Sequence, residues 1–561
     1  MKLKLILMGL ALWCFVSAAG AQSNQSIVGD LLTMSPEQYA KMEWKIPIAG
    51  RFKNPYDQKE VMLDLWLTSP SGKPLQLPCY FEHETNGVSL FKARFTPQEA
   101  GAYKYYFKLT TGKNVSDSRG SSFTAKKGTK KGFLHKNNNY TFKFDDGTLF
   151  RGVGENVAWE SRDFENQKFT YDYLLPTLQR NGANFFRTWM SNWNIPLEWK
   201  QVAGTKRYKN SDDYFNPGAI KRMDELVKLT DSLGLYFMLT LDWHGHLMQN
   251  FKRSNYSTAK GGPASTPTEY FTLPASMEMY KNKLRYVVGR WGYSTNIAAW
   301  EFFNEVDNAA FGAKDSVIIP LAAISHWHME MSRYLKDLDP YQHLVTTSVS
   351  HRDIPGMNSI PYIDFNQKHI YKHTEKIPGI YPDYIQTFNK PYVIGEFGFR
   401  WEDMDPKYAK EANYDYKRGL WFGMFSETPI LPMTWWWELF DDQKMTPYFN
   451  GVRQISEMML AAGKGKFAQF KPTADLLHSQ GMHCGNSYFI YLLNETDHEL
   501  TANVSFPVDK TSGILQRFDP ERRKFDTIKS QPISGNTLTL NVLGGVKLKA
   551  GESQILIFST K

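Results

Sequence analysis

Apolar and polar positions follow three successive rhythms along the chain. From about Trp44 to Ala125 they alternate: Val61, Leu63, Leu65 and Leu67 fall at the two-residue period of a strand, and Pro70-Ser71-Gly72 supplies a turn. Residues 30–126 are therefore predicted to form a β-sandwich, and the basic, glycine-containing stretch from Lys126 to Gly132 reads as a linker.

Beyond the linker, apolar runs that end in polar or aromatic residues recur eight times: Leu149 to Asn156, Ala183 to Trp189, Tyr236 to His244, Ile297 to Glu305, Leu344 to Ser350, Phe365 to Tyr371, Tyr392 to Glu396 and Pro432 to Trp437. Helical patterns separate them. The clearest starts with Asn216 as cap and Pro217 as first residue, places Ile220, Met223, Leu226 and Val227 on one face, and stops at Gly234. Eight strands alternating with helices over residues 133–465 predict a (β/α)8 TIM barrel, an α/β fold. Tyr140 to Phe150, with Asp146-Gly147 at its turn, reads as a hairpin closing the barrel's bottom. The stretch from Gln249 to Pro274, rich in Ser, Thr, Gly and Pro, is expected to overhang the opposite rim. Residues 466–561 return to alternating strands, such as Tyr488 to Leu493, Leu538 to Val542 and Gln554 to Phe558, and read as a second β-sandwich packed on the barrel.

The first residues fall outside this scheme. Lys2 and Lys4, the apolar run from Leu5 to Val16 and the small residues Ala19-Gly20-Ala21 form an export signal over residues 1–21, so the mature chain is expected in the periplasm or outside the cell. Trp13 stands before Cys14, where a lipoprotein signal needs a small residue, and no later apolar run is long enough for stable membrane insertion. Cys79 and Cys484 then remain, far apart, and offer no disulfide framework. The formal charge of +9 comes from Lys and Arg spread without a basic block, which gives nucleic acid binding no specific support. Aromatic residues make up 15% of the chain, enough for exposed as well as buried aromatic surfaces.

The candidate chemistry lies at strand ends. Ile297 to Phe303 is a near-continuous apolar run that drives Glu305 to its C-terminal end, and Pro391 to Gly398 presents Glu396 in the same way. In a barrel of parallel strands that rim carries the active site. His244 and His369 also fall at strand ends, where site roles are expected. Strand alternation puts Trp435 and Trp437 on one face, with Trp435 as the expected floor of a sugar subsite, and turns Trp436 into the barrel wall.

Taken in order, Gly182-Ala183-Asn184-Phe185-Phe186-Arg187, Asp242-Trp243-His244, Asn304-Glu305, His369-Ile370-Tyr371, Glu396 and Trp435-Trp436-Trp437 resemble the signature of the clan A retaining glycoside hydrolases, most closely family 5 with its mannanases and cellulases. Phe95 to Tyr103 resembles the corner before a late strand of an immunoglobulin-like sandwich, similar to the N-terminal domains of many exported bacterial polysaccharide hydrolases. The resemblance implies that a polysaccharide or oligosaccharide is cleaved at β-glycosidic bonds in two displacements, with Glu396 as nucleophile and Glu305 as acid/base. It further implies that Arg187 and Tyr371 keep Glu396 ionised, that Asn304 contacts the sugar hydroxyl beside the anomeric centre, and that His244 and His369 bind substrate or orient the carboxylates. No cofactor and no metal are implied. The sugar, the linkage and the choice between endo and exo action stay open. Two other classes compete: a metal-dependent, amidohydrolase-like barrel, prompted by His244-Gly245-His246, and a non-catalytic glycan-binding barrel.

Overall fold

A computed structural model describes residues 27–163, 167–402, 405–510, 512–528, 533–534, 537–540 and 545–560. The expected export signal lies outside them. Among the described residues no helix is long and apolar enough to cross a membrane.

The N-terminal alternation builds two antiparallel sheets. One orders Asp30–Leu31, Met42–Ala49, Val88–Phe95 and Tyr80–Thr85; the other orders Pro74–Pro78, Val61–Thr68, Gly101–Thr111 and Asn114–Asp117, with Ser121–Ala125 also paired to Gly101–Thr111. Trp44, Ile46, Leu63, Leu65, Phe91 and Phe107 meet between them in one apolar cluster. At the corner singled out in the sequence, the Tyr103 hydroxyl accepts the Glu99 N–H at 2.9 Å. The outer faces are tied to the next domain by charge: Arg94 donates to Asp224 at 2.9 Å, and Arg290 donates to Glu82 at 2.5 Å.

The central domain is a ring of parallel strands. β1 (Gly154–Asn156), β2 (Phe185–Trp189), β3 (Tyr236–Thr240), β4 (Ile297–Glu301) and β5 (Leu344–Thr346) pair in sequence order. Ser348–Val349 continues β5 and pairs with β6 (Asn366–Tyr371), which pairs with β7 (Tyr392–Gly398). The eighth position is held by residues 430–434 through parallel bridges of Thr434 to Phe397 and to Glu155, and of Ile430 to Gly152. The hydrogen bonds thus run round a closed ring. Its lower interior is filled by Phe185, Met238, Ala299, Val393 and Met433, and is stoppered by Phe142 and Phe144 of the three-stranded sheet Leu134–Lys136, Phe142–Phe144 and Leu149–Phe150. Gly147, at φ 88°, makes the turn in that sheet where a side chain would be strained. The helix predicted after Asn216 spans Pro217–Leu233; the Asn216 side chain accepts from Gly218 and Ala219, and Gly234 ends it in the left-handed conformation.

C-terminal to the barrel, a six-stranded sheet orders Phe467–Phe470, His478–Cys484, Ser487–Leu493, Ser553–Thr560, Gly513–Asp519 and Lys524–Ile528. Every residue of Ser487–Leu493 is buried, because the strand is covered on both sides. Tyr488, Ile490 and Leu492 face the sandwich core, whereas Phe489, Tyr491 and Leu493 pack into the cluster that surrounds the barrel. At about 1.5–3 kcal/mol per buried large apolar side chain, this two-sided burial fixes the domain against the barrel.

Candidate active site

The rim at the C-terminal ends of the strands opens into a cavity of about 630 Å³. Glu305, His369 and Glu396 converge there, with one ligand-capable atom of each lying within 4.8 Å of the others. Local backbone features aim them. Glu305 follows β4 in a left-handed conformation, φ 50° and ψ 52°, which is uncommon for a side-chain-bearing residue, and its N–H is held by the Ser348 hydroxyl at 2.9 Å. In β7 the register slips between Lys368 and His369, so that His369 stands opposite Glu396 while Gly395 is the extra residue. A Cβ on Gly395 would lie 2.4 Å from the Gln367 side-chain oxygen, so any larger residue at this bulge would have to displace the Gln367 side chain.

The two carboxyls differ in their partners. Glu396 receives Arg187 Nη1 on Oε1 at 2.7 Å and the Tyr371 hydroxyl on Oε2 at 2.6 Å. Glu305 receives Asn308 Nδ2 on Oε2 at 2.9 Å, and His369 Nδ1 lies 2.8 Å from its Oε1. Burial raises the pKa of both above the usual carboxylate range; His244 and Arg187 pull Glu305 down while Asp307 pushes it up, and His369 and Arg187 pull Glu396 down while Glu305 pushes it up. Such a pair titrates together, and its first proton resides on Glu305, because Glu396 alone has a guanidinium and a phenol aimed at its charge. Burial lowers His369 to about 4, so the imidazole is neutral at physiological pH. Burial together with the Glu396 charge raises the Tyr371 phenol, which stays protonated and able to donate.

Behind Glu396, Arg187 is fully buried and uses all five N–H groups. Nε and Nη2 bind Glu301 at 2.6 and 2.7 Å, Nη1 binds Glu396 and Asn156, and Nη2 also binds Asn304 Oδ1 at 2.7 Å. Arg187 therefore does not line the cavity and has no surface to offer a substrate; it acts on Glu396 from below. Asn304, expected at a sugar hydroxyl, is likewise buried, with Oδ1 on Arg187 and Nδ2 3.3 Å from His244 Nδ1. His244 itself lines the cavity.

The three tryptophans depart from the alternating-strand reading. Trp436 takes φ 63° and Trp437 begins the helix Trp437–Asp442, so alternation ends at Trp435. Trp435 lines the cavity, whereas Trp437 is buried edge-on against Trp159 and Trp435 at 4.9 and 5.2 Å. Trp436 is only partly buried and donates its indole N–H to the Arg400 carbonyl at 2.8 Å. The loop after β3 does not overhang the cavity: Tyr270 donates to Asp242 at 2.9 Å and Ser254 lies 2.6 Å from His246 Nε2, folding the segment against the barrel's flank.

That packing also separates the His-x-His pair. His246 is buried between Asp242 and Ser254, while His244 faces the cavity. The one cluster of potential metal ligands among the described residues is Glu305, His369 and Glu396. Both oxygens of Glu396 are already bonded, one to a guanidinium whose charge opposes a metal cation, so this donor set fits proton transfer and nucleophilic attack better than metal binding. Sequence reasoning missed Glu301 and Asn156, the Arg187 partners, and the cavity walls Trp159, Arg162, Trp193 and Trp401. Glu301 carried a signal, since a carboxylate within a strand buried on both faces requires a cation.

Residues 146–438 match the model of "Cellulase (glycosyl hydrolase family 5)", and residues 35–110 match a "Domain of unknown function (DUF5060)". A mannan endo-1,4-beta-mannosidase A from Podospora anserina is 24% identical over 280 residues, covering 45% of this chain and 71% of the relative. A mannan endo-1,4-beta-mannosidase F from Aspergillus fumigatus is 28% identical over 247 residues, covering 42% of this chain and 49% of the relative; the chain thus spans about half of that enzyme's length. A crystal structure from Bacteroides vulgatus ATCC 8482, described as a candidate glycoside hydrolase, superposes with a TM-score of 0.64 at 15% identity over 94% of this chain and 99% of its own.

Proposed function

The chain belongs to glycosyl hydrolase family 5 and is a glycoside hydrolase, and we propose that it is exported and that it cleaves a β-linked polysaccharide or oligosaccharide by double displacement. The carrying observation is the approach of Glu305 and Glu396 to within 4.8 Å at the rim cavity. Inverting enzymes separate their carboxyl groups by about 6.5–9.5 Å to admit a water between them, and retaining enzymes by about 5–5.5 Å. The short separation supports the retaining route.

In the first step a Glu396 oxygen attacks the anomeric carbon while Glu305 gives its proton to the departing oxygen. In the second, Glu305 takes a proton from water, which displaces Glu396 from the glycosyl ester and restores both groups. Arg187 and Tyr371 keep Glu396 ionised for the attack. His369, neutral, orients Glu305, while His244 and Trp435 receive the sugar. Export rests on the basic, apolar and small-residue order of residues 1–21, and N-terminal sequencing of the protein recovered from the cell exterior or periplasm checks it.

The activity of the relatives on mannan makes β-1,4-linked mannan the first polysaccharide to assay, within a panel scored for new reducing ends. Nuclear magnetic resonance of the first product should show the β-anomer, and an initial α-anomer contradicts double displacement. Tyr371→Phe removes one charge-assisted bond to Glu396 and is expected to lower kcat about 10- to 100-fold. Because that bond favours the carboxylate, the acidic limb of kcat/KM should also move to higher pH. Trp401, 63% exposed beside the cavity, offers a face to an outlying sugar. Trp401→Ala should raise KM for long oligosaccharides about tenfold at nearly constant kcat, and an unchanged KM removes it from the binding surface.

A further inference from the structure

Among the described residues, one cation that lines the cavity has no carboxylate within ion-pair distance. Arg162 lines the same wall as Trp159 and Trp193, and its guanidinium carbon lies 4.6 Å from the Trp193 ring centroid and 5.3 Å from that of Trp159. Among the described residues no carboxylate lies within 4.0 Å of it. The adjacent acid, Asp163, is engaged by Lys206 at 2.7 Å, and Glu438, which attracts Arg162 electrostatically, stays beyond ion-pair distance. Neighbouring cations are satisfied: Lys372 pairs with Glu402 at 2.5 Å and Arg352 with Asp307 at 3.4 Å. The acids that line the cavity are Glu305 and Glu396, both committed to one another and to Arg187, Tyr371 and His369.

Contact with two indoles that stand at 82° to each other restrains the guanidinium, while the side chain as a whole stays exposed and leaves an N–H edge to solvent. Partial burial against these rings lowers its pKa and Glu438 opposes that shift, while the residue as a whole stays exposed to solvent. Sugar hydroxyls can accept from such an edge, but a carboxylate or sulfate accepts two parallel, charge-assisted bonds and restores neutrality.

We propose that the glycan accepted by this cavity carries an anionic substituent, a uronic acid carboxylate or a sulfate ester, on the sugar seated against Trp159 and Trp193, and that Arg162 is the residue that selects it. This rests on the hydrolytic reading for the site but not for its test, which reads binding. The full-length Glu396→Gln enzyme, with and without Arg162→Gln, is titrated with oligosaccharides from a uronic-acid-bearing β-glycan and from its carboxyl-reduced form, and with a sulfated β-glycan and its desulfated form.

The expected result is a preference of about 10- to 100-fold for the charged member of one pair, the size of a charge-assisted bond, collapsing towards one in the Arg162→Gln background. The preference should also shrink as salt rises from 20 to 500 mM, for an ion pair open to solvent on one side. Which pair is discriminated separates carboxylate from sulfate. Equal affinities within both pairs, or a preference that survives Arg162→Gln, overturn the proposal. Absence of turnover by the unsubstituted enzyme on all four glycans and on mannan contradicts the hydrolytic reading instead, and the affinity ratio still decides the role of Arg162.

Discussion

Glu396→Gln should leave the protein folded and able to bind its glycan while lowering kcat by at least about three orders of magnitude. The amide keeps the size of the side chain and can still accept a bond from Arg187 or Tyr371, but it cannot displace the leaving group to form a glycosyl ester. The loss is expected in kcat and kcat/KM together, because the interaction removed exists only on the way to the transition state. Two controls guard the interpretation. The thermal midpoint should stay within a few degrees, since Glu301 continues to pair with the buried Arg187 through two bonds. Binding of an oligosaccharide should persist when measured directly. A variant that retains more than about a tenth of the activity removes Glu396 from the nucleophile's place.

Glu305→Ala should separate the two chemical steps. Burial holds the Glu305 proton above the usual carboxylate range, so in the free enzyme the group is an acid; once Glu396 is an uncharged ester, a negative charge leaves the pocket and Glu305 becomes easier to ionise, as a base must be. The sign of the pH effect follows. As pH rises through the raised pKa of Glu305 the proton is lost and kcat/KM falls, giving the basic limb; as pH falls through the pKa of Glu396 the nucleophile is protonated, giving the acidic limb. Glu305→Ala should therefore flatten the basic limb. It should cost about 100-fold or more on natural glycans but little on substrates whose leaving group needs no proton. Added azide, which needs no base, should restore turnover and yield a glycosyl azide of retained configuration. A Glu305→Ala enzyme that keeps its basic limb or ignores azide contradicts the assignment.

Much of this arrangement was legible in the chain because period and punctuation are local. Asn216-Pro217 and Gly234 mark their helix whatever surrounds it, and the two-residue alternation from Val61 to Leu67 needs no partner to be seen. Glu305 and Glu396 stood out as charges at the ends of apolar runs. What the sequence hid depends on a single φ angle or on distant contacts. Trp435 and Trp437 would share a face on a straight strand, but the left-handed turn at Trp436 ends the strand and buries Trp437. Arg187 reads as a partner of Glu396, but nothing local to it announces Glu301, 114 positions away, which closes over two of its nitrogens. The β3 loop has the composition of a mobile overhang, yet the Tyr270 hydroxyl and Ser254 find buried partners in Asp242 and His246.

The claim that one carboxylate of this pair carries the sugar between steps is tested most directly by trapping that ester. A 2-deoxy-2-fluoro glycosyl fluoride of the sugar selected by the polysaccharide panel forms the intermediate readily and hydrolyses slowly. Digestion and mass spectrometry of the inactivated protein should place the added sugar on Glu396, within the stretch Tyr392–Gly398. A label on any other carboxylate, or full turnover of the fluorosugar without a trapped ester and with inverted product, would contradict the account.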